Sequence, residues 1–146
     1  MIPLINEAFD EDFSEDANVM LKPAKQVTQL PDATLEQNEM DAVAEVSDMS
    51  HDTVSFHFEV ETWPDENIAV RLAEYDAAEA YAGVERTKGG AIMTLPRSAV
   101  IFLRSRESVP NDFTITIRYS GGEASYKVPV IKVKDYSVEE IFKKRL

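Results

Sequence analysis

The residues best suited to chemistry lie in one short run. Between Val54 and Glu61, Val54, Phe56, Phe58 and Val60 alternate with Ser55, His57, Glu59 and Glu61. Alternate side chains of an extended strand leave opposite faces, so Glu59 and Glu61 share a face with His57 while the phenylalanines turn to the core. Strand geometry separates the two carboxylates by about 7 Å. Asp41 opens a second alternating run that ends at Val46, and the turn-forming stretch Ser47 to Thr53 joins the two runs as a hairpin. If Asp41 reaches the same edge, three carboxylates converge, which is costly unless a cation or a shared proton relieves the repulsion. Oxygen-only ligands suit magnesium or manganese, and such an ion polarises a phosphoryl oxygen and activates a water. The plainer reading is that the strand turns its polar face to solvent.

These carboxylates need a frame, and the surrounding pattern predicts one. Ile2, Ile5 and Phe9 fall at helical spacing, followed by the acidic loop Asp10 to Asp16. Residues 22–39 are polar, carry Pro23 and Pro31 and lack a period, as a long connection would. After Trp63-Pro64, Asp65 and Glu66 suit the positive end of a helix. That helix is expected over about 65–86, with Ile68, Arg71 or Leu72, Tyr75, Ala78 or Glu79, and Ala82 as its buried stripe. Its stop is expected near Lys88-Gly89-Gly90, with basic residues in the last turn. Ala99 to Leu103 is a continuous apolar run, as in a strand covered on both faces. Phe113, Ile115 and Ile117 alternate into the turn Ser120 to Glu123, and Ala124 to Val133 returns as a second hairpin arm. Ser137 to Glu140 reads as a capping box before a last helix over Ile141 to Leu146. The order predicts a single α/β domain over 1–146: a mixed central sheet flanked by helices.

Composition narrows the function classes. The chain has 146 residues, 44% of them hydrophobic, enough for one domain with a core. It has no cysteine and two histidines, which excludes disulfides and thiolate metal sites and fits a reducing, cytoplasmic setting. No run of apolar residues is long enough to predict a membrane span. The net charge of −12 is uneven: residues 1–50 hold 12 acids and 2 bases, 51–100 hold 9 and 4, and 101–146 hold 6 and 9. A polyanion would therefore be bound locally, through the last third or through metal ions.

Met40-Asp41-Ala42-Val43, Phe58-Glu59-Val60-Glu61-Thr62 and Arg71-Leu72-Ala73-Glu74-Tyr75 together resemble the PD-(D/E)XK nuclease-like proteins, of the recombination-promoting nuclease and putative transposase kind. Pro96 to Arg104, Val128 to Val133 and Asp135 to Phe142 are similar to the same group, so the likeness covers roughly residues 38–146. It implies a restriction-endonuclease-like core and a metal-dependent DNA endonuclease. Asp41 and Glu59 would hold Mg2+ or Mn2+, the Val60 carbonyl would be a further ligand, and Arg71 and Tyr75 would support the site or contact phosphate. Glu61 stands where the group carries Lys or Gln. A carboxylate there could hold a second metal or act as a base, or mark lost activity. The relatives continue into a hydrophobic helical region, so a chain ending at Leu146 reads as truncated, and apolar surface left exposed would favour a homodimer or aggregation.

Other residues stay open between roles. Arg71 could instead pair with Glu74 or Glu79, and Tyr75 could be core. Glu7 could be an extra acidic site residue or simply solvated. Arg97, Arg104, Arg106, Lys132 and Lys134 form the candidate phosphate-facing set. Trp63 could stack on a base, although an anchor buried under the helix start is the simpler expectation. Two non-catalytic readings compete with the nuclease: an interaction domain that keeps the fold, and an acidic module that imitates phosphate, motivated by the acids of residues 7–16.

Overall fold

The computed structural model describes residues 1–22, 25–29, 35–39, 42–49 and 52–146. Helix α1 spans Ile2–Phe9, with Pro3 in its first turn, where a missing N–H costs nothing. Asp10 ends it in the left-handed conformation, at φ 54°. Strands β1 (Asn18–Lys22), β2 (Lys25–Gln29), β3 (Leu35–Glu39), β4 (Ala42–Ser47) and β5 (Val54–Glu61) precede helix α2 (Ile68–Ala82). Strands β6 (Glu85–Thr87), β7 (Gly90–Ile92), β8 (Arg97–Phe102), β9 (Asp112–Tyr119) and β10 (Gly122–Lys132) follow. A 3-10 turn (Val133–Asp135) and helix α3 (Val138–Lys144) close the order.

Six strands form one mixed sheet in the order β1-β4-β5-β8-β10-β9. The outer pairs are antiparallel, whereas β8 runs parallel to both β5 and β10. This is the expected α/β arrangement of a mixed sheet flanked by helices. The apolar run at Ala99 is accordingly central, with Ala99, Val100 and Phe102 all buried. On one face, Ile2 and Ile5 of α1 pack with Phe56, Phe58, Ala44, Val46 and Ala99. On the other, Ile68 and Leu72 of α2 pack with Val100, Phe102, Ile115 and Val128. Truncating Phe56 or Phe58 to alanine would cost about 3–5 kcal/mol.

Several expectations need correction. Residues 22–39 are not one structureless connection: β2 and β3 form a separate two-stranded ladder, with Lys25 opposite Glu39. Asn18–Lys22, not foreseen as a strand, pairs with β4 at the sheet edge. Its side chains escape the alternation test because Met20 and Leu21 are both exposed. Helix α2 covers 68–82, not 65–86. Asp65 Oδ1 accepts the Asn67 N–H at 2.9 Å, a turn that delays the start, and no basic residue occupies the last turn. Residues 85–92 instead form the β6–β7 ladder, whose turn uses Gly89 at φ +94°, a conformation glycine adopts without penalty. The last helix begins at Val138 with the predicted capping box: Ser137 Oγ accepts from the Glu140 N–H, and the Glu140 carboxylate accepts from the Ser137 N–H.

Candidate functional site

Glu59 and Glu61 do share a face with His57, but solvent does not cover it. Helix α2 lies over that face, leaving Glu59 only 5% exposed and His57 1%. The cover brings Arg71 into the gap between the carboxylates. Its Nη2 donates to Glu59 Oε1 at 3.2 Å and to Glu61 Oε1, while Nη1 donates to Asp65 Oδ2 at 3.1 Å. One guanidinium thus holds the carboxyl end of β5, the loop after it and α2 together. The cluster stands at the carboxyl ends of the parallel strands β5 and β8, which is where open α/β sheets form ligand sites. Arg71 does not pair with Glu74 or Glu79; Glu79 instead takes Lys22 from the edge strand.

Behind Glu59 runs a buried polar chain that sequence reading missed. His57 Nε2 faces Glu59 Oε2 at 3.5 Å, and His57 Nδ1 meets Asp76 Oδ1 at 3.0 Å. Asp76, fully buried, also accepts the Ser98 hydroxyl and, through Oδ2 at 2.8 Å, the Tyr126 hydroxyl. Burial opposes a charge on His57, but the hydrogen bonds and fields of Asp76 and Glu59 outweigh it and push its pKa up to about 9. At neutral pH the ring is therefore a cation between two carboxylates. Burial and the Asp76 carboxylate likewise push the Tyr126 phenol up. The missed signal is helical spacing: Ile68 and Leu72 continue at four-residue steps to Asp76 and Ala80, all buried. Ala82, expected in the stripe, is exposed.

The other candidates separate. Tyr75 is buried against Val43, with its ring edge-on to His57 at 5.9 Å, so it backs the site. Glu7 sits on α1, across the sheet, and pairs with Lys144 at 2.7 Å and with the Tyr136 hydroxyl at 3.0 Å. The five basic residues do not make one patch. Arg97, at the amino end of β8, is bound by Glu11 and by the Phe9 carbonyl. Lys132 is buried, donating to the Val109 carbonyl at 2.6 Å and Asn111 Oδ1 at 2.8 Å. Arg104 and Arg106 follow the carboxyl end of β8, and β8 itself spans about 20 Å. Trp63 is half exposed, not a buried anchor.

Asp41 and its predicted role lie outside the described residues. Glu59 and Glu61 offer oxygen donors of the right hardness for magnesium or manganese, and buried Glu59 Oε2 is faced only by the His57 ring at 3.5 Å. Both carboxylates are nevertheless directed at Arg71, and among the described residues no three acidic or histidine side chains group as metal ligands. The described residues alone do not fit a metal site. Among them, no helix is long and apolar enough to cross a membrane. Protein-family models, curated proteins and solved structures give no match to this chain.

Proposed function

We propose that this chain is a DNA-endonuclease-like domain of the PD-(D/E)XK kind, with Glu59 at the centre of its site and a DNA phosphodiester as the group it engages. The observation that carries this reading is the convergence of Glu59, Glu61 and Asp65 on Arg71 at the carboxyl ends of β5 and β8. The order α1, hairpin, α2 and parallel strand supports the restriction-endonuclease-like core that the sequence resemblance implies. An incoming phosphate would compete with the carboxylates for Arg71, whose planar guanidinium suits bidentate binding of either. No hydrolytic step is assigned to an ion, because the described residues do not assemble a site for one.

The closure by Arg71 favours a second reading, in which the frame is kept as a non-catalytic interaction domain. A guanidinium that already bridges Glu59 and Glu61 relieves part of the repulsion a divalent ion would otherwise relieve. Supercoiled-plasmid and single-strand cleavage with magnesium, manganese or chelator decides between the two. Metal-dependent cutting that disappears in Glu59→Gln establishes the nuclease. An uncut substrate with both the original chain and Arg71→Ala selects the interaction domain.

A further inference from the structure

Beside the acidic cluster, the loop between β5 and α2 opens onto a cavity of about 390 Å3. Its apolar wall is Trp63, Phe113 and Val109, and its polar rim is Glu66, Ser108 and Arg106. Asp65 joins the two places, since it lines this cavity while bonding Arg71. Trp63, the single tryptophan of the chain, keeps 50% of its surface exposed. An indole left this open has not been used to fill the core.

Two cations beside it have no carboxylate partner among the described residues. Arg71, Arg97, Arg118 and Arg145 are each held by a carboxylate. Among the described residues, neither Arg104 nor Arg106 forms an ion pair. The Arg104 N–H bonds the Thr62 carbonyl at 3.0 Å, extending the β5–β8 register and bringing the Arg104 guanidinium over the Trp63 ring, 5.5 Å from its centroid. A half-open aromatic face, two unpaired guanidiniums and a polar rim form the combination that binds single-stranded nucleic acid. The cavity lies within the usual volume range for small-molecule sites, large enough for a base. Glu66 on the rim can accept from a base N–H, such as the N3–H of thymine, and disfavours phosphate inside, so the base enters and the backbone stays with the arginines.

We infer that the Trp63 cavity is a nucleobase subsite for a single strand: an unpaired base stacks on Trp63, and flanking phosphates meet Arg104 and Arg106. The inference rests on the nuclease-like reading for the identity of the substrate, but it concerns binding and needs no cleavage. It also supplies the local cationic element that a chain of net charge −12 requires in order to approach a polyanion.

The test is a titration of the full chain with oligothymidylate, followed by Trp63 fluorescence and by anisotropy of the labelled strand, at several salt concentrations. Chelator is present, so that nothing is cut. The expected result is quenching by the strand and at least about tenfold weaker binding of an abasic strand of equal length. Trp63→Ala should lose about tenfold in affinity by anisotropy, with Trp63→Phe recovering part of it. The Arg104→Ala/Arg106→Ala pair should lower the salt slope by about 1.4, for two single-strand phosphate contacts. Equal binding of abasic and base-bearing strands, or unchanged affinity in Trp63→Ala, overturns the inference. So does thymidine monophosphate binding as tightly as the strand, which would make the occupant a free nucleotide. Strand binding here with no cutting in the magnesium or manganese cleavage assay defeats only the catalytic reading, whereas cutting in that assay by a chain whose strand binding ignores Trp63 defeats only this one.

Discussion

The guanidinium of Arg71 stands 3.2 Å from the buried carboxylate of Glu59, so a cation supplied by α2 occupies the space where the strand's acidic face would otherwise be open. Arg71 shares that charge with Glu61 and Asp65, which makes it the least replaceable residue of the cluster. Arg71→Ala should destabilise the fold by about 2 kcal/mol, because buried Glu59 loses its hydrogen-bonded cation and keeps only the more distant His57. Chemical denaturation at pH 7 measures this. In the double variant with Glu59→Gln, part of the loss should return, since the under-compensated buried charge is gone.

Glu61→Lys tests the position at which the resemblance expects Lys or Gln. Glu61 bonds Arg71, so an ammonium at that position meets a guanidinium at close range. The variant should melt at a lower temperature than the original chain, by a few degrees, and Glu61→Gln should lose less. An unchanged or raised melting temperature in Glu61→Lys would show that residue 61 can turn away from Arg71.

His57 gives the fold a pH dependence of definite sign. Its folded pKa, about 9, lies above its ordinary value, so the protonated ring contributes stability that is fully present below about pH 6.5 and is lost as pH rises through about 9. The amplitude is at most about 3 kcal/mol. Denaturation midpoints between pH 6 and 10 should fall for the original chain and stay flatter for His57→Gln.

Asp76 holds His57, Ser98 and Tyr126 at once. Asp76→Ala would strand the buried His57 and Ser98 and the half-buried Tyr126 hydroxyl, at a cost of about 3–5 kcal/mol. Asp76→Asn keeps the shape but removes the charge, so the His57 pKa should drop toward its ordinary value. Imidazole proton shifts followed by NMR against pH would register the change.

Helix α3 has no buried residue, and Phe142 is 79% exposed, so its order leans on its cap and on ion pairs. Ser137→Ala should raise amide exchange in residues 138–144 roughly fivefold, with little effect on β5 or β8.

Where the sequence was legible, one physical rule dominated locally. Strict alternation revealed β5, the apolar run revealed β8, and serine followed three residues later by glutamate revealed the α3 cap. Alternation also put Glu59 beside Glu61, and one helical turn linked Arg71 to Tyr75. It could not say which element covers a polar strand face, so the closure by Arg71 and the burial of Glu59 came as tertiary facts. Asp76 escaped because charge argued against burial, although its spacing from Leu72 argued for it. Its cost is offset by partners on β5, β8 and β10 that are distant in sequence. Edge strand β1 offered neither alternation nor an apolar run and is ordered by its ladder to β4.

The pairing of Glu7 with Lys144 closes a loop of 137 residues. Contacts that close long loops carry a large entropic cost before they contribute anything, so this one belongs at the end of folding, after the sheet has brought α1 and α3 within reach. The same ion pair should be among the first to part when the protein begins to open. The docking of α3 on α1 is then a late addition to a core that α1 and the sheet already share, and weakening the pair should speed unfolding far more than it slows refolding.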